Sequence, residues 1–168
     1  GYYDIYALWL AEAQSLRKNY IYFGGYAKAI YLTSGIESRQ LPQLQENPLP
    51  VFVITGGRIE TLSATYFGTV VSASNDVFFY VDGGYIDKFY TTYNSSLNKS
   101  ANVVMNDTYV NTYYAGGHTE SAYVYGGVTT DVVNSRIGAL YGGPEYGTIE
   151  KGSVINIQNS EIDKLFGS

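Results

Sequence analysis

The sequence contains no cysteine, one methionine, one tryptophan, one histidine and four prolines in 168 residues. Without cysteine there are no disulfides and no thiolate-bound metal, which suits an exported protein stabilised by other means as well as a cytosolic one. The lone histidine, His118 in AGGHTES, has no Cys or His cluster beside it, so neither a zinc site nor any other metal or cofactor is expected. Charge is also scarce. Only 15% of residues are charged, Lys and Arg number 10 against 15 Asp and Glu, and the net charge is −5. The basic residues are scattered singly, leaving no patch to neutralise phosphates, so nucleic acid is not an expected partner. No apolar run reaches the roughly 18 residues that a bilayer-spanning helix needs, so membrane insertion is not expected. No GxSxG spacing occurs, which argues against a nucleophile-elbow hydrolase.

What is present is a repeat. Two inward-type residues two apart, a tight turn, an aliphatic residue, two free positions and another apolar residue recur six times. The copies are 20–31, 52–63, 79–90, 103–114, 130–141 and 155–166. Their central residues, Ala27, Ile59, Ile86, Val110, Ile137 and Ile162, are separated by 32, 27, 24, 27 and 25 residues. Five positions earlier stand Tyr22, Ile54, Val81, Met105, Val132 and Ile157, and three positions later Ile30, Leu62, Phe89, Tyr113, Leu140 and Leu165. The turn pair is Gly-Gly in the first three copies, then Asp107-Thr108, Asn134-Ser135 and Asn159-Ser160. These residue types tolerate left-handed backbone or hydrogen-bond their own turn. A period of about 25 leaves no room for a helix in each copy and predicts stacked coils.

Around that repeat, 4–17 has helical apolar spacing with Asp4 placed as an N-cap, and residues 1–19 read as an N-terminal capping helix. The remainder, 20–168, reads as the solenoid. The stretch 34–50 holds three of the four prolines and reads as an excursion loop, a place where function often sits. Leu97, Val124 and Ile149, with Ala73 at the same spacing, each fall six residues before the next copy's first inward residue and predict a third buried column. Three short strands per turn is the cross-section of a parallel β-helix. The fold class expected is all-β, a parallel β-helix of about six coils with the N-terminal helix as its cap.

The Gly-Gly turns, the aliphatic columns and the IGALYGG element at 137–143 resemble those of right-handed parallel β-helix repeat proteins of microbial or viral surfaces. That resemblance implies an extracellular or cell- or virion-surface location. A leucine-rich repeat fits less well, because Asn159 follows Ile157 by two positions and no copy has a helical return segment; propeller blades need about 40 residues per unit.

Two outward rows carry the candidate chemistry. Many parallel β-helices place carboxylates along one outer face, and the position after the central aliphatic is Lys28, Glu60, Asp87, Asn111, Gly138 and Asp163. Stacking sets Glu60 and Asp87 about 4.8 Å apart as like charges, the candidate acid/base pair of a glycosidase or polysaccharide lyase. The plainer reading is a solvated face, with Lys28, Lys88 and Lys164 as neighbours of the acids. The other row is aromatic: Tyr31, Ser63, Tyr90, Tyr114, Tyr141 and Phe166 follow the last buried column. An outward ladder offers ring faces to glycans or a partner subunit, so Tyr31, Tyr90, Tyr114 and Tyr141 are the candidate binding residues; the plainer reading is that they stack on one another. Thr residues do not align into the flat column that ice binding requires. Three sequons, at Asn94, Asn98 and Asn106, fall in an Asn-, Ser- and Thr-rich stretch where such motifs arise by chance.

A chain that opens on Gly1 reads as processed or excised, and the last copy ends at Ser168 with no closing element, which reads as a template for a further chain. The function expected is a non-enzymatic extracellular structural or adhesive β-solenoid, a self-assembling homo-oligomeric subunit of a filament or surface layer. The alternative is a carbohydrate-binding or polysaccharide-cleaving β-helix.

Overall fold

A computed structural model describes residues 20–23, 26–31, 51–64 and 76–167, of which 20–23, 26–31, Val51 and Val53 are described by backbone alone. The capping helix expected in 1–19, the excursion loop 34–50 and Ala73 lie outside the described residues.

Within them the chain is an all-β parallel solenoid of about four turns, with no helix. One long sheet stacks β1 (Tyr20–Phe23), β3 (Val51–Ile54), β5 (Val77–Asp82), β8 (Ala101–Asn106), β11 (Val128–Val133) and β14 (Ser153–Gln158). A second stacks β2 (Tyr26–Tyr31), β4 (Arg58–Ser63), β6 (Tyr85–Tyr90), β9 (Tyr109–Tyr114), β12 (Arg136–Tyr141) and β15 (Glu161–Phe166). A short third face is made by β7 (Ser96–Leu97), β10 (Tyr123–Val124) and β13 (Thr148–Ile149). All pairing is parallel, and residues one repeat apart are register partners, as in Ile59 with Ile86 and Val110 with Ile137.

The core is the columns that the repeat defines. Phe52, Phe79, Val103 and Thr130 form one; Ile54, Val81, Met105 and Val132 the next; all are within 1% of complete burial. Leu62, Phe89, Tyr113 and Leu140 face them from the second sheet, and Leu97 and Val124 close the third side. Val77, Ala101 and Val128 add an inward column at the start of β5, β8 and β11. The sequence reading counted two inward residues there rather than three, because Ala and Val in a polar context do not stand out.

Two features depart from a plain aliphatic core. Phe52 and Phe79 stack with centroids 4.9 Å apart, Phe89 meets Phe79 edge-on at 5.0 Å, and Tyr113 meets Phe89 edge-on at 5.2 Å. Tyr113 brings a phenol into the core, and that phenol bonds Thr130 Oγ1 across the two sheets at 2.6 Å. The one polar residue in the first column is therefore the partner of the one polar residue in the facing column. Each satisfies a group that burial would otherwise penalise.

The turn between the two long sheets explains its own sequence. Asp107, Asn134 and Asn159 hold φ of 52°, 49° and 49°, the left-handed region that Asn and Asp enter more readily than other side chains. The next residue carries a hydroxyl that links coils. Ser135 Oγ accepts from Thr108 N, and Ser160 Oγ accepts from Ser135 N, both at 3.0 Å. Each hydroxyl in turn donates to the carbonyl two residues before it, at 2.8 Å for Ser135 and 2.9 Å for Ser160. Where Gly83-Gly84 occupies the turn, both residues take positive φ, and a Cβ at Gly84 would lie 2.8 Å from the Gly57 carbonyl oxygen.

Ser135→Ala removes the acceptor of a buried amide, so we expect it to destabilise the fold by about 1–3 kcal/mol and to accelerate hydrogen exchange at the Thr108 amide. Ser135→Thr restores the hydroxyl, and Thr108 already fills this position one coil earlier, so near-native exchange is expected. Equal exchange in the Ala and Thr variants would show that the hydroxyl row does not hold the turn.

Candidate functional site

Parallel in-register stacking places the last residues of β6, β9, β12 and β15 in one row, so Tyr90, Tyr114, Tyr141 and Phe166 form a continuous aromatic ladder. Their rings stack at 5.1, 4.4 and 4.5 Å with interplanar angles of 2°, 11° and 8°. Ladder faces are thus occupied by neighbouring rings, and the edges are what remains. Ser63 precedes Tyr90 in the row, and Tyr31 is the register partner of Ser63; the side chain of Tyr31 is outside the described residues.

The loops that leave the second sheet fold back over the N-terminal end of this ladder. Tyr90 is only 1% exposed, against the outward, accessible position its strand alone would give it. Tyr93 and His118 meet its ring at 5.6 and 5.3 Å, and Tyr93 and His118 stack on each other at 4.6 Å. The loop after β9 is anchored by His118 N and Thr119 N, which both donate to Tyr93 O. It packs closely against its neighbours at Gly116 and Gly117, where a Cβ would lie 2.6 Å from the Pro144 Cβ and 2.1 Å from the Ala122 Cβ respectively. The loop after β12 is held by Glu145 N donating to Gly117 O.

These loops gather donors on one carboxylate. His118 Nδ1 lies 2.7 Å from Glu145 Oε1, Tyr90 donates its phenol to Glu145 Oε2 at 3.3 Å, and the Tyr114 phenol feels the charge of the same carboxylate. Burial, reinforced by the negative charge of Glu145, holds the Tyr90 phenol well above its ordinary value. The same causes, in the same order, push the Tyr114 phenol up to about 12. The short contact between His118 Nδ1 and Glu145 Oε1 fixes the orientation of the imidazole ring. An oriented imidazole of this kind is half of a general-base arrangement. The described contacts add no nucleophile and no lysine or arginine to the cluster. Its evident work is to clamp two loops onto the ladder.

Glu145→Gln tests that reading. It removes the charge and an acceptor, so the Tyr114 phenol is expected to fall below 12 but to stay above its ordinary 10.0, because burial, the larger cause, is unchanged. Stability is expected to fall by about 1 kcal/mol, since the pair is partly solvated. Tyrosine-resolved NMR titration reads the first, and urea unfolding the second; an unmoved Tyr114 would mean that Glu145 does not act on it.

Elsewhere the structure brings Glu60 and Asp87 onto adjacent strands, as the register of Ile59 with Ile86 requires. Asp87 Oδ1 accepts from Asn111 Nδ2 at 3.0 Å, continuing the row as an amide ladder rather than as an isolated carboxylate pair. Gly138 follows, where a Cβ would lie 2.6 Å from the Asn111 carbonyl oxygen. In the row before it, Arg58 lies over Tyr85 at 4.9 Å, Tyr85 stacks on Tyr109 at 5.1 Å, and Arg136 lies over Tyr109 at 5.5 Å while pairing with Asp163 at 3.2 Å. Among the described residues no group of three or more His, Cys, Asp or Glu is placed to hold a metal. Of the sequon residues, Asn106 donates its Nδ2, the atom a glycan would occupy, to Asp82, and Asn94 accepts from Thr119 and Ser121.

Sequence reasoning found the ladder and missed the clamp. His118 and Glu145 are 27 residues apart, the same interval as Val110 and Ile137. In a solenoid, residues one repeat apart in their loops are neighbours, and applying the repeat to the loops as well as the strands would have paired them. No family model, no curated protein and no solved structure matches the chain.

Proposed function

We propose that this chain is a non-enzymatic structural or adhesive β-solenoid of an extracellular or cell- or virion-surface assembly, built of six right-handed coils with residues 1–19 as a helical cap. One observation carries the structural part: the outward rows that looked chemically equipped are partnered with themselves. Aromatic rings stack on rings, Asn106 on Asp82, Asn111 on Asp87, and hydroxyls on the amides of the next coil. Such rows stabilise a stack of coils without any ligand. The right hand follows from the strong preference of parallel crossover connections. The surface location rests on the resemblance of the Gly-Gly and aliphatic pattern to surface solenoids.

Self-assembly is supported by the last coil. Ile157 and Leu165 are 41% and 61% exposed, although their register partners Val132 and Leu140 in the coil before are fully buried, and Phe166, which ends the ladder, is 42% exposed where its partner Tyr141 is half-buried. A further coil in the same register, from this chain or from a second copy, would cover them and extend every ladder. Negative-stain electron microscopy with light scattering across a concentration series is the test. Regular filaments or sheets that are lost in Leu165→Lys support the proposal, and monomers at every concentration remove the self-assembling part of it.

A second reading, polysaccharide cleavage, is favoured by the adjacency of Glu60 with Asp87 and by the oriented His118. Release of reducing ends or unsaturated products that stops in Glu60→Gln, Asp87→Asn or Glu145→Gln would establish it in place of the first.

A further inference from the structure

The third face of the solenoid differs from the other two. The strand β10 lies between β7 and β13, and its inward residue, Val124, is flanked by Leu97 and Ile149. Outward, Tyr123 is flanked in register by Ser96 and Thr148. Tyr125 N donates to Leu97 O and Glu150 N to Val124 O, so the same register sets Asn98 and Glu150 on either side of Tyr125. These are short polar side chains with one acid, and none of them can cover a ring as the ladder tyrosines cover one another. Tyr125 is accordingly 48% exposed, and Tyr146, two residues before Thr148, is 58% exposed. The Tyr123 and Tyr125 rings sit 4.4 Å apart at 42°, a tilted pair rather than a closed stack.

We propose that Tyr123 and Tyr125, rimmed by Ser96, Asn98 and Thr148, form a binding platform for a neutral oligosaccharide. It gives the adhesive part of the proposed function a ligand class and rests on that reading. A pyranose ring presents an apolar C–H face and an equatorial fringe of hydroxyls. The platform presents the complement, an open aromatic centre within a rim of hydroxyl and amide groups. The 4.4 Å separation is too close for the two rings to hold successive sugars separately, so they frame one sugar, with the rim reaching its neighbours. Size argues against a protein occupant: two or three half-exposed tyrosines on a two-residue strand fall well short of the about 800 Å² per partner that a stable protein interface buries. Charge gives no preference for polyuronates or nucleic acids: the acid Glu150 stands on the rim, Lys99 and Lys151 follow one register position on beside Gly126, and the chain as a whole carries −5.

The probes are cellohexaose and chitohexaose, titrated into the full chain by calorimetry and by ligand-observed NMR. Binding of at least one is expected in the millimolar range, with an about tenfold loss in Tyr125→Ala and a comparable loss in Tyr123→Ala. Circular dichroism and the urea midpoint confirm that these surface variants remain folded, and Tyr125→Phe, which keeps the ring, is expected to retain binding. Three outcomes overturn the proposal. They are no binding of either probe at 10 mM, binding unchanged in both alanine variants, or a loss that follows Tyr114→Ala on the ladder instead. A change of molecular mass on Tyr125→Ala would likewise overturn it, by making a second copy the occupant. Binding without filaments would remove self-assembly and leave the platform; filaments without binding would do the reverse.

Discussion

Phe79→Ala is expected to destabilise the protein by about 4 kcal/mol, read as a fall in the urea midpoint at unchanged slope. Phe79 is fully buried, and truncation removes both its transfer free energy and the partners of two other rings. Phe52 loses a face packed at 4.9 Å and 9°, and Phe89 loses the ring it meets at 5.0 Å. Each aromatic pair adds about 0.5–1.5 kcal/mol beyond burial. The site cannot close up readily, because Phe52 and Val103 are fixed in register on either side by the hydrogen bonds of β3 and β8. The neighbouring Phe78 points outward from the same strand and is half-buried, so Phe78→Ala is expected to cost less than half as much. In a one-dimensional stack each coil contacts only its neighbours. The lesion should therefore loosen residues 51–64 and 76–90 first, while amide protection in 128–141 outlasts it. Equal losses at Phe78 and Phe79 would contradict the inward and outward assignment on which the fold rests.

How far the sequence alone reached depended on whether a residue's partner lay one repeat away at a position of the pattern. Ile59, Ile86, Val110 and Ile137 form a column because the period is a register, and the third column at Leu97, Val124 and Ile149 followed from the same spacing. The turn chemistry was legible for the same reason: Asp107, Asn134 and Asn159 share one backbone conformation because they share one place in the repeat. What was not legible is what depends on folding across or outside the pattern. Tyr113 and Thr130 face each other from different sheets, 17 residues apart, an interval unrelated to the period. The covering of Tyr90 depends on loops that pack closely at Gly116 and Gly117, and although the repeat interval pairs His118 with Glu145, it does not say that these loops fold over the ladder. The exposure of Tyr125 arises because its register neighbours are Asn98 and Glu150, as those of Tyr123 are Ser96 and Thr148, and none of the four carries a ring. That is a property of rows rather than of residues, and a tyrosine repeat does not reveal it because Tyr123 and Tyr125 have no tyrosine one coil away.

The Tyr113–Thr130 pair gives the protein a predictable alkaline limit. Tyr113 is completely buried, and burial, partly offset by the Thr130 hydrogen bond, holds its phenol far above the ordinary 10.0. Below pH 10 the phenol is neutral in both folded and unfolded chains, and its contribution is fully present. Above pH 10 the unfolded chain releases this proton while the folded chain keeps it. Stability then falls by about 1.4 kcal/mol for each pH unit from this residue alone, and the loss continues as pH rises toward the folded value. Two pH units above 10 therefore remove close to 3 kcal/mol, a large part of the stability of a domain this size. Tyr90 and Tyr114 steepen the decline by a smaller, solvent-screened amount. Urea unfolding at pH 9, 10, 11 and 11.5 measures the slope, and absorbance at 295 nm should show tyrosines that ionise only as the fold is lost. Phe in place of Tyr113 with Val in place of Thr130 removes both polar groups at nearly constant shape. That double variant should be close to wild type at pH 8 and should lose the alkaline slope that Tyr113 supplies. Tyr113→Phe alone strands the Thr130 hydroxyl and should cost about 1–3 kcal/mol at pH 8. An alkaline slope identical in the wild type and the double variant would mean that the buried phenol does not set the limit. The decline would then belong to the accumulating negative charge of the chain as a whole.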